Sequence, residues 1–195
     1  YWQSFCGMRG SVDIVAGTLV DLEKHKVSGG DKKIKKINEG VYINNVSFSF
    51  GKTMILKNIS LKIEKNKMVA IVGTSGSGKS TLVDLTTGLI KPTEGQILID
   101  GKNLETLDMS EFKNHIGYVT QESIIFDDSI ANNITLWDSK IDENTSRERA
   151  KIVARQALCE EFILASSNGY DTLIGDRGIK LSGGERQRLA IAREL

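Results

Sequence analysis

Gly73-Thr74-Ser75-Gly76-Ser77-Gly78-Lys79-Ser80 follows the pattern G-x-x-x-x-G-K-S, and each part of it suits the holding of phosphate. Glycines let the backbone curl so that successive N–H groups turn inward toward anionic oxygens. The run Met68-Val69-Ala70-Ile71-Val72 before it reads as a buried strand. The residues after it, Thr81-Leu82-Val83-Asp84-Leu85, read as a helix, with Leu82, Leu85 and Leu89 on one face and Gly88 near its end. A helix start adds unpaired donors and about half a positive charge. Lys79 can reach the β- and γ-phosphates of a nucleoside triphosphate, and the Ser80 hydroxyl can ligate Mg²⁺. The bland alternative, a Gly/Ser-rich turn that happens to precede a lysine, does not explain the strand before and the helix after.

A second cluster is Leu181-Ser182-Gly183-Gly184-Glu185-Arg186-Gln187-Arg188. Ser-Gly-Gly at the head of a helix rich in Ala, Leu and Arg is again an anion site by backbone donors and helix field. Taken alone it is equally well a helix cap.

The elements that must position these clusters show in the hydrophobic pattern. Val46, Phe48 and Phe50 alternate with Ser47 and Ser49, and Ile59, Leu61 and Ile63 alternate with polar neighbours, which predicts strands. Glu64-Lys65-Asn66-Lys67 and Lys91-Pro92-Thr93-Glu94-Gly95 read as turns. Gln96-Ile97-Leu98-Ile99 is a short strand ending at the turn dipeptide Asp100-Gly101. Ile116-Gly117-Tyr118-Val119 reads as one more buried strand. From about Asp128 to Ser166, Ile152, Val153, Ala157, Phe162 and Ile163 recur at helical spacing among charges, the pattern of a mostly helical insertion. Ahead of all this, Phe5, Met8, Val12, Val15, Leu19 and Leu22 form one helical stripe, followed by the polar, basic stretch Val27–Lys33, suited to a linker.

Composition narrows the function class. The chain has 195 residues, with Lys+Arg 26 against Asp+Glu 25. Such a balance gives no bulk attraction to nucleic acid. Cys6 and Cys159 stand far apart without metal-ligand spacing and read as reduced thiols. The first residues lack the basic and apolar regions of a signal peptide. No apolar run reaches the ~20 residues that a bilayer span needs.

Together the two glycine-rich clusters closely resemble the ATP-binding cassette of ABC transporters, whose signature reads L-S-G-G-Q/E before a basic helix. The resemblance runs over essentially the whole chain. It implies an α/β fold with a P-loop NTPase (RecA-like) core, an antiparallel β subdomain and a helical subdomain at about 123–183, all preceded by an amphipathic helix. Residues 1–30 then correspond to the cytoplasmic end of a last transmembrane helix plus linker, and 31–195 to the cassette. Phe50 falls where the family stacks an aromatic residue, usually Tyr, on adenine. Gln121 matches the Q-loop glutamine, which reaches the metal and the attacking water. Ile174-Gly175-Asp176-Arg177-Gly178 resembles the exporter-type G-E-R-G segment.

By the same resemblance ATP is bound by Phe50, by Gly73, Thr74, Ser75, Gly76, Ser77, Gly78, Lys79, Ser80 and Thr81, and by Gln121. Ser182, Gly183, Gly184 and Glu185 clamp the ATP of a second cassette, head to tail in a homo- or heterodimer. Ser80 and Gln121 serve Mg²⁺, and Lys79 and Gln121 are the catalytic residues present. The acidic strand, the general-base carboxylate and the switch histidine are expected beyond Leu195, so the cassette reads as incomplete and this portion by itself as inactive. The implied activity is ATP hydrolysis coupled to export, through a transmembrane domain of the same polypeptide at the cytoplasmic face of a membrane. Departures are mild: Phe50 for Tyr, Glu185 for Gln, Asp176 for Glu, and Asn66 where the family has Gly. A soluble ABC-type ATPase of chromosome structure, repair or translation is the alternative. The first two would need a long coiled coil between the clusters, and the apolar stripe argues against the third.

Overall fold

The computed structural model describes residue 18 and residues 29–138, 142–175 and 180–195. The stripe at 1–26 lies outside the described residues apart from Thr18, as do Cys6 and residues 176–178 of the exporter-like segment. The chain divides into two compact units, Tyr1–His115 and Ile116–Leu195.

The first unit is built on an antiparallel sheet of four strands in the order β2-β1-β3-β4, with β1 at Gly40–Phe50, β2 at Thr53–Glu64, β3 at Glu94–Ile99 and β4 at Lys102–Asn103. Ile43 pairs with Leu61 on one side and Ile97 on the other, and these apolar cross-strand neighbours hold the register. The alternation read from sequence breaks at the end of β1. Ser47 is 7% exposed, with its hydroxyl accepting the Asn58 N–H at 3.1 Å, while Phe50 is 60% exposed. Register shifts accompany this: β1 carries one extra residue between Ile43 and Val46, and β2 carries one opposite Val46–Phe48 and another opposite Phe48–Ser49.

The Asp100-Gly101 turn joins β3 to β4 with φ positive at both residues, 49° and 76°, as a two-residue hairpin turn requires. Burial would raise the Asp100 pKa. Backbone N–H groups of Gly40, Asn38 and Glu39, at 3.0, 2.6 and 2.8 Å, outweigh that and hold it below the usual carboxylate range. Asn66 sits in the left-handed region at φ 60°, which asparagine enters more readily than most residues. The stretch suited to a linker is pinned from Lys32, whose N–H donates to the Thr106 carbonyl and whose carbonyl accepts the Asp108 N–H.

Helix α1 covers Lys79–Thr86 and α2 Met109–Lys113. Leu82 and Leu85 of α1 are buried, each contributing about 1.5–3 kcal/mol. Leu89, aligned with them by spacing, is exposed because α1 has already ended. Gly88 stops it at φ 72°, its N–H donating to the Leu85 carbonyl and the next N–H to that of Asp84.

Two expected strands are absent. Among the described residues Met68–Val72 and Ile116–Val119 join no sheet; Met68 is 100% exposed and Val72 89%. An apolar run becomes a strand only where it lies against an edge that offers carbonyls and N–H groups.

The second unit is helical: α3 at Ile130–Thr135, α4 at Glu143–Gln156, α5 at Glu160–Ala165 and α6 at Gly183–Glu194. Its core includes Ile130, Ile134, Val153, Ala157, Ile163 and Leu189. Cys159 is buried there, and desolvation pushes its thiol up to about 11. Ile152, grouped with the core by spacing, faces solvent instead.

Candidate functional site

The phosphate loop is an exposed turn that leads directly into α1. Gly78 caps the helix at φ 85°, ψ 12°, a conformation side chains resist. A Cβ there would also lie 2.8 Å from Leu56 Cδ2 and 3.1 Å from Ile55 Cγ2, so the loop rests on β2 and only glycine fits. Ser77 N–H donates to the Thr74 carbonyl at 3.3 Å, closing the curl. The Lys79 ammonium donates to the carbonyls of Thr74 at 2.7 Å and Gly73 at 3.1 Å. The first N–H groups of α1, from Lys79 to Thr81, have no acceptor four residues back within the helix and are the donors an oxyanion would take. Gly73, Thr74, Ser75, Gly76 and Ser80 are exposed, with open space around Gly76.

Phe50 ends β1, paired across the hairpin with Thr53, and stands edge-on to Phe48 at 4.8 Å and 89°. Phe48 is buried and Phe50 is not. A large aromatic face braced by a core ring and left in solvent is free to stack on a base.

In the other unit, Gln121 is exposed on a bend after Tyr118. Ser182 caps α6 through a reciprocal box. Its hydroxyl accepts the Glu185 N–H at 3.3 Å and donates to Glu185 Oε2 at 2.7 Å, and its own N–H donates to the same oxygen at 2.7 Å. These bonds from the Ser182 side chain and then its backbone hold the Glu185 carboxyl below its usual range. Gly183 and Gly184 are exposed, so the head of α6 is open to solvent. The loop and Phe50 thus come together in the first unit, and Gln121 and Ser182–Glu185 belong to the second.

The sequence model of the family described as ABC transporter matches residues 56–195. The chain belongs to the ABC transporter family. Membership bears out the resemblance carried by the two glycine-rich clusters, and it makes this a nucleotide-binding domain. The ATP-dependent lipid A-core flippase of Syntrophus aciditrophicus is 43% identical over 179 residues, covering 91% of this chain and 29% of the flippase. The flippase of the same name from Escherichia coli K12 is 42% identical over 180 residues, covering 91% and 30%. A solved bacterial Atm1-family ABC exporter with ATP bound superposes with a TM-score of 0.81 at 34% identity, covering 95% of this chain and 33% of that one. The ABC cassette fold, with its antiparallel β portion and its helical portion, is therefore the fold of this chain. The chain spans about a third of the length of these relatives. Among the described residues no helix is long and apolar enough to cross a membrane.

Motif spacing carries no sign of two structural side chains of the site region, Asn133 and Arg193. An asparagine and an arginine on amphipathic helices read as solvated positions, and only the fold brings them to the main chain after Gln121.

Proposed function

We propose that this chain is the ATP-binding and ATP-hydrolysing cassette of a membrane exporter, joined to a transmembrane domain in the same polypeptide and working at the cytoplasmic face. Residues 1–30 lead from that domain, and 31–195 form the cassette. One observation carries the reading: an exposed aromatic platform and a phosphate cradle rest on one hairpin, Phe50 at its end and Gly78 against Ile55 and Leu56 of β2. That is the arrangement a nucleoside triphosphate needs, with the base at one end and its phosphates at the other. The flippase and exporter relatives support the choice of export.

In this reading Phe50 stacks on adenine and the backbone from Gly73 to Thr81 wraps the phosphates. Lys79 leaves the Gly73 and Thr74 carbonyls to neutralise charge on the β- and γ-phosphates. Ser182 and the N–H groups of Gly183 and Gly184 hold the γ-phosphate of an ATP bound by a second cassette, with Glu185 fixing the turn. Gln121 orients the attacking water. Since the transition state spreads charge over the transferring oxygens, the work is positioning and electrostatic stabilisation.

No group of three or more His, Cys, Asp or Glu is gathered among the described residues. Mg²⁺ held mainly by phosphate oxygens and water needs none, and the Ser80 hydroxyl at the head of α1 and the Gln121 amide suit it. When bound, the ion neutralises phosphate charge. Cargo would be chosen by the membrane helices.

The head-to-tail arrangement has a direct test in the full gene product. Lys79→Ala and Ser182→Ala variants should each lose ATP hydrolysis. Mixed subunits should regain part of it, because one composite site then keeps both an intact loop and an intact signature. No recovery in verified mixed dimers would refute the shared site.

A further inference from the structure

Gln121 is mounted on the helix that Ser182 begins. Three residues before Gln121, the Tyr118 N–H donates to Glu194 Oε2 at 3.1 Å. Three residues after it, the Ile124 carbonyl accepts Arg193 Nη1 at 2.8 Å. Arg193 and Glu194 are consecutive at the far end of α6. Gly117 adds a close approach, since a Cβ there would lie 3.1 Å from that of Glu194. Both pins hold the main chain of the Gln121 segment, so a rotamer change in that segment does not release them.

The Arg193 pin is the better braced. Its Nε donates to the Asn133 carbonyl at 2.8 Å and its Nη2 to Asn133 Oδ1 at 3.2 Å. Its guanidinium lies 5.3 Å from the centre of the Phe126 ring. Asn133, 0% exposed on α3, accepts the Phe126 N–H at 2.8 Å and donates to the carbonyls of Phe126 and Ser129, both at 3.0 Å. A half-buried guanidinium offsets its desolvation only with such hydrogen bonds, and their loss leaves several polar groups stranded together.

We propose that Arg193 and Glu194 are positioning residues that make the Gln121 segment and the signature helix move as one piece, so that phosphate engaged at Ser182 sets where Gln121 stands. This rests on the roles proposed above for Gln121 and Ser182. A helix of three turns is stiff enough to carry a small rotation from its head to its foot, and the two pins pass it to both flanks of Gln121. Binding of ATP to the phosphate loop needs neither pin.

The experiment compares Arg193→Lys, Glu194→Gln and the double variant in the full gene product. Lysine keeps the charge and the ring contact but cannot make three bonds in a fork. The double variant should lose about ten- to a hundredfold in kcat, the order that a small misplacement of a reacting group costs. KM and ATP affinity should stay near those of the parent. Unchanged kcat in a folded double variant overturns the proposal. So does a fall in ATP affinity parallel to that in kcat, the mark of general support.

Ser182→Ala separates the two levels. If it leaves hydrolysis intact, the signature reading and this proposal both fall. If it abolishes hydrolysis while the double variant does not, only this proposal falls. Should the variants fail to fold, amide exchange in the parent protein with a non-hydrolysable ATP analogue decides. Residues 118–126 and the first turn of α6 must gain protection at the same analogue concentration, and separate midpoints overturn it.

Discussion

The Lys79 ammonium lies 2.7 Å from the Thr74 carbonyl oxygen and donates to it. The cation suited to phosphate is thus satisfied by its own loop, with a second bond to Gly73 at 3.1 Å. Binding ATP exchanges these bonds for stronger ones to anionic oxygen. Because two bonds are given up, Lys79→Ala is expected to cost about 1.5–3 kcal/mol, or one to two decades of ATP affinity. Calorimetry on the folded variant checks it. Unchanged affinity would remove Lys79 from the site.

Phe50→Ala should weaken ATP more than it weakens inorganic tripolyphosphate. Stacking on an aromatic face contributes about 1–3 kcal/mol per base, and Phe50 touches Phe48 only edge-on. A ring with a purely structural role would lower both affinities equally and lower the melting point as well.

Leu158→Gly is expected to stabilise the protein by about 0.5–1 kcal/mol. Leu158 ends α4 at φ 57°, its N–H on the Arg155 carbonyl and the next N–H on that of Ala154, a helix stop that favours glycine. The left-handed conformation costs a leucine about 1–2 kcal/mol, and glycine returns part of that through its freer unfolded chain. The leucine side chain is exposed, so little packing is lost. Denaturant melts showing destabilisation would contradict this.

Asp100 should contribute to acid sensitivity. Its folded pKa lies below its unfolded value, so its stabilisation is present above the unfolded pKa of about 3.9 and is lost as pH falls through the folded pKa. Asp100→Asn should lower stability at neutral pH by about 1–2 kcal/mol and flatten the acid limb of the stability profile below about pH 4. An acid limb as steep as the parent's would assign the sensitivity to other carboxylates.

The parts of the site legible in sequence are those that one short segment makes by itself. The curl of Gly73–Ser80, the cap at Ser182 and the Asp100-Gly101 turn follow from local residue types, and the fold has all of them. Pairing was less legible. Met68–Val72 and Ile116–Val119 have strand composition, yet a strand is a relation between two segments and composition describes only one. The burial of Ser47 and exposure of Phe50 accompany bulges, which shift the phase of an alternation without changing its residues. Arg193 and Asn133 lie further out of reach, because their partners are main-chain atoms whose neighbourhood no side-chain pattern encodes.

The contact of Gly78 with Ile55 and Leu56 has a consequence for size selection. The cradle leans on the same strand whose Thr53 faces Phe50, so a few residues of β2 act as a caliper between the two jaws of the site. In the proposed site a ligand would be gauged by the distance from its aromatic plane to its phosphates. Bulk at position 78 would lift the cradle off β2, so that one jaw loses its mounting and the gauge its fixed length.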